Sequence, residues 1–336
     1  MFRWIHDAAA RSARSFYQFL HRRLGEQQRN QERLAQLRRD LAAAHRHIET
    51  LSSQAGQVSA LWRPPGHYFS PITDAKTVLA DAEHIWPEPA PAQLPGIEFN
   101  DAVQFEWVDR VRHHRGTYPD YLPDRPLEGH RFYHQNRQFS LYDGMVLHAM
   151  MCELKPRRII EAGSGFSSAI MLDTNQHHLG GEVELVFIEP YTERLRSLLL
   201  PGDEQLVTVI EKPLQDVLAP MAKSLQANDI LFIDSTHVMK TGSDVNHLLF
   251  EVLPNLAPGV HVHFHDIMYP FEYPRRYIEQ GRSWNEAYGV RAFLMYNRCF
   301  EIQYFANYLS TVHPKRVLGL IGGSNLWLKR AADSVA

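Results

Sequence analysis

The sequence predicts an α/β fold in which a doubly wound, mostly parallel sheet carries helices on both faces. Short apolar segments alternate with longer amphipathic segments between residues 158 and 265, and a turn with two glycines joins the first strand to the first helix. Three of the predicted strands also end in a carboxylate. Strands that alternate with helices form parallel sheets, because a parallel pair of strands needs a long crossover connection.

The order of the elements follows from the period of the apolar residues. After the glycine turn we predict helices over residues 167–175, 191–200, 214–225 and 243–255, and strands over residues 183–189, 206–211, 229–234 and 259–265. Before the turn we predict helices over residues 75–85, 100–115 and 141–154. After the last of these strands we predict a helix over residues 287–296 and two final strands over residues 300–305 and 325–329.

Residues 1–57 predict a long, basic, amphipathic helix that resembles a coiled coil. They contain no proline, and apolar residues recur at intervals of three and four at Leu34, Leu37, Leu41, Ala44, Ile48 and Leu51, as in a coiled-coil seam. This face predicts a homo-oligomer formed through residues 13–53. Two alternatives stay open: the helix packs on its own domain, or its arginine-rich first turns make peripheral contact with an anionic membrane surface.

A change in composition marks the boundary of the α/β domain. Residues 58–100 contain seven prolines, and proline stiffens the chain and removes backbone donors. We interpret this stretch as a linker or as a cap on the domain that follows. The α/β domain itself is predicted to span residues 101–336.

Size, charge and cysteine content limit the class of protein. A chain of 336 residues with 44% hydrophobic residues can bury one large α/β core. The net charge is −3, but residues 1–55 hold ten arginines against five acidic residues, so the remainder is acidic and unsuited to a nucleic-acid partner. Cys152 and Cys299 cannot form a disulfide framework, and no apolar run reaches membrane-spanning length. We predict a cytoplasmic protein, with the inner face of the membrane as the alternative.

The glycine turn predicts a binding site for a nucleotide-like ligand. It follows the apolar strand that begins at Arg158, and it carries Gly163 and Gly165 before the helix that starts near Ser167. Glycine lets the backbone adopt a positive φ and lets a ligand approach closely, and the start of the next helix offers free N–H groups. A Gly-x-Gly pattern on its own also occurs in simple chain turns.

Carboxylates close three of the predicted strands. Glu189 ends the strand after the glycine turn, Asp234 ends the strand over residues 229–234, and Asp266 follows the strand over residues 259–265. Because the carboxyl ends of parallel strands meet at one edge of the sheet, we expect these groups to line a common ligand site.

These segments together resemble the class I S-adenosylmethionine-dependent methyltransferases, and within them a bacterial group whose first motif reads E-x-G-x-G-x-S-S. The resemblance covers roughly residues 130 to 330, and its specific parts are IIEAGSGFSS, VFIEPY, DILFIDSTHVMKTGSDV, LAPGVHVHFHDIMYPFEYP and GGSNLWLKR. It implies a seven-stranded Rossmann-like sheet with a C-terminal antiparallel strand. It also implies methyl transfer from S-adenosylmethionine.

The resemblance further implies which residues bind the cofactor. It places Glu161, Gly163 and Gly165 around the methionine part and Glu189 on the ribose hydroxyls, and its full set of cofactor-binding residues is Glu161, Gly163, Gly165, Ser167, Ser168, Glu189, Asp216 and Asp234. The adenine ring is expected near Gln215 and Asp216. Helix capping by Glu189, and a helix-start position for Asp216, remain alternatives.

Catalytic groups are expected just past the strand ends, at the carboxyl edge of the sheet. His237 and the pair His265 and Asp266 are the candidates for proton removal from the acceptor, because histidine titrates near neutral pH. His261 and His263 share a strand face with His265 by alternation. For these two, a buried structural role is the leading interpretation.

Asp234 and Asp266 also predict a site for a divalent metal such as Mg²⁺, which prefers carboxylate oxygens and water. Related magnesium-dependent enzymes have an acid and an amide after the fifth strand. Here Ile267 occupies the place of the amide, which departs from their pattern.

The predicted function is O-methylation of a small-molecule or glycan acceptor, for which the aromatic loop 268–274 and Trp284 offer stacking surfaces. Two other classes stay open. One is an NAD(P)-dependent oxidoreductase, although Ser168 replaces the third glycine of its usual turn. The other is a non-catalytic scaffold built on the N-terminal coiled coil.

Overall fold

The structure is a computed structural model that describes Leu41, residues 61–320 and residues 322–332. The chain divides into two compact units, Met1–Ile72 and Thr73–Ala336. The predicted N-terminal helix over residues 1–57 and the predicted oligomer contact over residues 13–53 lie outside the described residues, apart from Leu41. Within the described part, no helix has the length and apolar character needed to cross a membrane.

One seven-stranded sheet organises the second unit, with the strand order β3-β2-β1-β4-β5-β7-β6. The strands are β1 (Arg158–Ala162), β2 (Glu184–Ile188), β3 (Val207–Ile210), β4 (Ile230–Ile233), β5 (His261–Phe264), β6 (Phe300–Phe305) and β7 (Leu326–Arg330). Strands β1 to β5 pair in parallel, whereas β7 runs antiparallel between β5 and β6. This arrangement confirms the predicted doubly wound, mostly parallel sheet with its antiparallel C-terminal strand.

Helices cover the sheet. They are α1 (Ala75–Ala80), α2 (Ala82–Ile85), α3 (Asp101–His114), α4 (Leu141–Leu154), α5 (Phe166–His178), α6 (Glu193–Leu198), α7 (Leu218–Ala222), α8 (Asp244–His247), α9 (Arg275–Glu279), α10 (Glu286–Leu294) and α11 (Ala306–Val312). Helix α4 packs against both α3 and α5, and α3 packs against β6. The residues of β4 and β5 are all buried, as expected for parallel strands that carry helices on both faces.

Three predicted helices are less regular than their apolar pattern suggests. The segment predicted over residues 214–225 is a 3₁₀ turn, Leu214–Asp216, followed by α7. The segment predicted over residues 243–255 passes from α8 through a π-helical stretch, Leu248–Val252, into a 3₁₀ turn that contains Pro254. Proline removes a helical N–H and crowds the preceding turn. The helix predicted over residues 75–85 is two helices, because Asp81 interrupts it between α1 and α2.

The second part of the proline-rich stretch belongs to the α/β unit. The Trp86 indole N–H donates to the Tyr273 carbonyl at 2.9 Å, and the Tyr296 N–H donates to the Gly96 carbonyl at 2.7 Å. Phe99 is buried in the core. From Thr73 onwards this stretch therefore forms a cap on the domain, and the α/β unit begins well before the predicted residue 101.

A buried ion-pair network holds the segment before α4 against the domain. The Arg131 guanidinium donates to Asp173 at 2.9 Å and to Asp203 at 2.6 Å, and all three side chains are buried. Asp173 also accepts from the Arg131 backbone N–H at 3.0 Å. This network fixes the chain that leads to one wall of the cavity described next.

Candidate active site

A cavity of about 1120 Å³ opens at the carboxyl ends of the parallel strands. Its walls are the turns that follow β1, β2, β4 and β5, together with residues of the segment that precedes α4. Ligands of open α/β sheets bind at this edge, where the strand order reverses on either side of β1. Of the predicted site residues, Gly163, Gly165, Ser167, Glu189, Asp234, His237, His265 and Asp266 all line this cavity.

The glycine turn admits no side chain at its first glycine. Gly163 has a φ of 85°, and a Cβ built on it would lie 1.9 Å from the Asp234 carbonyl oxygen. Its N–H donates to the Ile188 carbonyl at 3.0 Å. The turn is thereby held between the ends of β2 and β4, and the backbone of Gly163 and Gly165 faces the cavity.

Glu161 lies beneath the turn and does not line the cavity. Its carboxylate accepts the Ser167 hydroxyl at 2.6 Å and also accepts the Ser168 hydroxyl, whose oxygen receives the Gly165 N–H at 2.9 Å. Burial raises the pKa of Glu161 to about 8, although the serine hydroxyls act in the opposite direction. In this structure Glu161 and Ser168 shape the turn from below.

Glu189 stands at the end of β2 and does line the cavity. One of its oxygens accepts the Ser164 N–H at 3.2 Å and the other accepts the Tyr191 N–H at 2.8 Å. These bonds fix the carboxylate and leave lone pairs for a ligand. Asp216 does not line the cavity, whereas its neighbour Gln215 does.

His237 is held between two carboxylates at the cavity wall. Its Nδ1 lies 2.8 Å from Glu286 Oε2, and its Nε2 lies 3.4 Å from Asp234 Oδ1. Burial acts to lower the pKa of His237, but Asp234 and Glu286 raise it well above its ordinary value. The residue also has a φ of 59°, and such backbone conformations cluster at functional sites.

His265 and Asp266 meet the cavity from the end of β5. His265 is only 3% exposed, and its buried Nδ1 has no hydrogen-bond partner. Burial acts to lower the pKa of His265, but carboxylates led by Asp234 raise it. Asp266 accepts the Ser324 hydroxyl at 2.9 Å and the Tyr277 hydroxyl at 3.3 Å.

His261 and His263 lie away from the cavity, as their interpretation as structural residues predicts. The His263 ring stacks on Phe232 with 3.8 Å between ring centres, and it lies 5.8 Å from the His265 ring on the same sheet face. Burial lowers the pKa of His263 well below its ordinary value. A neutral ring is therefore the form that fits this position.

The cavity also contains residues that the sequence did not single out. They include Asp143, Arg194, Tyr277 and Arg282. Asp143 accepts the Ser324 N–H at 2.9 Å. No local pattern marks the others, because they converge only through tertiary folding.

The aromatic loop 268–274 contributes less to the cavity than expected. Tyr269, Phe271 and Tyr273 are buried, and only Met268 and Pro274 of this loop reach the cavity wall. Trp284 does line the cavity, as predicted.

Asp234 and Asp266 share the cavity but do not form a three-ligand metal cluster. In the described ranges, the one group of three ligand atoms within 4.8 Å of one another is His114, His148 and Cys152, which lies outside the cavity. Mg²⁺ is often bound through one or two carboxylates and several waters. The two aspartates supply carboxylates of this kind to the cavity.

Comparisons of the sequence with known proteins found two matches. Residues 160–267 match the model of a family described as a methyltransferase domain. Over 188 residues the chain is 30% identical to an uncharacterized protein of Archaeoglobus fulgidus, and the match covers 54% of this chain and 80% of that protein.

Solved structures with a related fold include the SAH-bound methyltransferase PaMTH1 of Podospora anserina, at 18% identity, 77% and 95% coverage of the two chains and a TM-score of 0.41. The O-methyltransferase TomG of Streptomyces achromogenes, in complex with SAM, has 17% identity, 70% and 92% coverage and a TM-score of 0.36. The cmcI-D160 structure with Mg-SAM has 20% identity, 57% and 72% coverage and a TM-score of 0.36. The strand order, and not these overall scores, identifies the fold.

Proposed function

We propose that this chain, whose residues 160–267 match a methyltransferase-domain family, is a class I S-adenosylmethionine-dependent methyltransferase that methylates an oxygen atom of a small-molecule or glycan acceptor. The observation that carries the proposal is that one cavity holds both the glycine turn with Glu189 and the carboxylate-bound His237. The glycine turn and Glu189 suit the binding of a nucleoside donor, and His237 with its carboxylate suits the removal of a proton.

The residues of the turn fit the donor. Gly163 admits no side chain, because a Cβ there would lie 1.9 Å from the Asp234 carbonyl oxygen, and both Gly163 and Gly165 line the cavity. Glu189 would accept hydrogen bonds from the two ribose hydroxyls, and the N–H groups at the start of α5 would face the methionine part. The bound donor supplies a methyl group on a sulfonium, which an acceptor oxygen attacks in line.

Proton removal is assigned to His237, with His265 and Asp266 as the second candidate pair. Glu286 holds Nδ1 of His237, and Nε2, which lies 3.4 Å from Asp234 Oδ1, would accept the proton once the ring is neutral. His237 must be neutral to accept a proton. Because its pKa is raised, methyl transfer should increase with pH through the titration of this ring.

Asp234 and Asp266 would be the protein ligands of a magnesium ion. Such an ion would bind the acceptor oxygen and make its proton more acidic. Methyl transfer measured with EDTA and again with added Mg²⁺ tests this part of the proposal separately.

Calorimetric titration with S-adenosylhomocysteine and with NAD tests the donor. We expect S-adenosylhomocysteine to bind and NAD not to bind. Glu189→Gln should lower the affinity for S-adenosylhomocysteine about tenfold or more, because charge-assisted hydrogen bonds are lost. Glu193→Gln, on the exposed start of α6, is the matched control and should bind as wild type does. Binding of NAD alone would instead support an oxidoreductase.

We also retain the proposal that residues 13–53 form a homo-oligomer contact and that the first turns touch an anionic membrane from the cytoplasm. Sedimentation and co-flotation with anionic vesicles, each compared with a chain that lacks residues 1–57, test the two contacts independently.

A further inference from the structure

Five cationic side chains line the cavity and form no ion pair with the residues that the structure describes. They are Arg137, Arg194, Lys240, Arg276 and Arg282. In the part of the chain that the structure describes, ion pairs form at other arginines and histidines, but none involves these five residues.

The acidic groups of the cavity, in contrast, each have a hydrogen-bonding or ionic partner within the chain. Asp143, Glu189 and Asp266 accept from backbone or hydroxyl donors as described above. Asp244 accepts the Thr236 N–H at 3.0 Å and its hydroxyl at 2.6 Å, and Asp234 faces His237. The acids of the cavity are therefore partnered within the chain, whereas the five cations lack an ionic partner among the described residues.

Arg282 is the cation whose position is most strongly fixed. It is partly buried, and its guanidinium carbon lies 4.2 Å from the centre of the Tyr277 ring and 4.7 Å from the centre of the Trp284 ring. Its backbone N–H donates to the Tyr277 carbonyl at 2.9 Å. Arg276 lies over the same tyrosine, at 5.2 Å. Contacts with aromatic faces hold a guanidinium in place and leave its N–H edges free.

Of the five cations only Arg282 is partly buried, whereas Arg276 beside the same tyrosine is exposed, and a cation that is partly withdrawn from water is stabilised by an anionic partner. We propose that the acceptor carries an anionic group, a phosphate or a carboxylate, which Arg282 and Arg276 bind; this rests on the proposed methyltransferase function. The Trp284 ring that supports Arg282 also lies 4.3 Å from the His237 ring. An anion on Arg282 thus places the rest of the acceptor beside the group assigned to remove its proton.

Arg194 serves a different part of the cavity. Its Cδ lies 3.2 Å from the position that a Cβ of Gly165 would occupy, so it stands over the glycine turn. There it would be placed to bind the carboxylate of the donor. The acceptor anion is assigned to Arg276 and Arg282, which come from the segment after β5.

Calorimetric titrations of the complex with S-adenosylhomocysteine test the inference with three probes: glucose 6-phosphate, glucuronate and glucose. We expect at least one of the two anionic sugars to bind, and the arm that binds identifies phosphate or carboxylate as the group recognised. Glucose should bind far more weakly. Affinity should fall as salt is raised, because the recognition is electrostatic.

Substitutions locate the binding. Arg282→Gln and Arg276→Gln should each lower the affinity for the anionic probe about tenfold or more. Binding of S-adenosylhomocysteine to each variant shows that the fold and the donor site are intact. Arg275→Gln is the matched control, since Arg275 is exposed and lies near Glu279 at 3.7 Å; it should leave the probe's affinity unchanged.

Failure of the anionic-acceptor proposal can be distinguished from failure of the proposed methyltransferase function. Binding of S-adenosylhomocysteine without binding of either anionic sugar at millimolar concentration overturns the anionic acceptor and leaves methyl transfer standing. Equal affinity for glucose and for the anionic sugar that binds, or equal losses for Arg275→Gln and Arg282→Gln, overturns it as well. Absence of S-adenosylhomocysteine binding overturns the proposed function itself.

Discussion

His237 Nδ1 lies 2.8 Å from Glu286 Oε2, and both side chains are buried. The two residues come from different segments, since His237 follows β4 and Glu286 begins α10. The Glu286 backbone N–H also donates to the His237 carbonyl at 3.2 Å. Backbone and side chain together therefore fix the imidazole ring at the cavity wall.

Glu286→Gln should lower the pKa of His237, because it removes one of the two carboxylates that raise it. The glutamine oxygen keeps a hydrogen-bond acceptor in place, so the ring stays oriented. NMR titration of protein labelled with ¹³C-histidine measures the change, and His237→Gln assigns the signal. An unshifted titration would show that Glu286 does not control the charge of this ring.

The same contact links folding to pH. Because the folded pKa of His237 is raised, its contribution to stability is fully present below the ordinary pKa of histidine and is lost as pH rises through the raised value.

Gly163→Ala should destabilise the fold far more than Gly181→Ala does. Both glycines have a positive φ, 85° and 76°, but a Cβ at Gly163 meets the Asp234 carbonyl at 1.9 Å, whereas nothing lies within 4 Å at Gly181. Backbone strain alone should cost about 1 kcal/mol at Gly181, and overpacking should bring the cost at Gly163 to about 3 kcal/mol or more. Urea denaturation measures both. Equal losses would mean that the turn relaxes freely.

Arg131→Met should cost about 3–5 kcal/mol, because it leaves Asp173 and Asp203 buried without their cation. Arg125→Met removes an exposed pair with Asp124 at 3.3 Å and should cost under about 1 kcal/mol. Thermal and urea denaturation compare the two. A small effect of Arg131→Met would show that the segment before α4 is held by its apolar contacts instead.

Glu161→Gln should change the pH dependence of stability. The folded chain keeps Glu161 protonated up to a pKa of about 8, against an ordinary value of 4.5, so this residue makes wild-type stability decline as pH rises between those values. The variant cannot ionise, and its stability relative to wild type should therefore increase over that range. Urea denaturation at about pH 5 and about pH 8 measures the difference.

The exposed Glu182→Gln is the matched control, and its stability relative to wild type should not follow this trend. A constant difference between Glu161→Gln and wild type would contradict the prediction.

The sheet could be predicted from the sequence because each strand is a short apolar run bounded by turn residues, and because alternation with helices leaves few topologies. The strand ends then located Glu189, Asp234 and Asp266, which line the cavity as expected. Helical regularity was harder to predict. The apolar period continues through Pro254, whereas the backbone there changes from π to 3₁₀ geometry.

The rest of the site depends on tertiary contacts that no local pattern encodes. Glu286 and Arg282 lie in the segment after β5, and only the path of that segment brings them to His237 and Trp284. Glu161 was expected around the cofactor, but its two serine partners hold it beneath the turn. Ser167 and Ser168 are adjacent in the sequence, but the backbone at the start of α5 determines the direction of their side chains.

The position of β7 has a consequence during synthesis. This strand lies between β5 and β6 although it follows both in the chain, so a nascent polypeptide that has reached Phe305 exposes the unpaired edge of β5. The unpaired edge of a strand can form hydrogen bonds with other chains until another strand covers it. We expect chaperones to engage ribosome-bound intermediates of this length, and release of the strand Leu326–Arg330 to end that engagement.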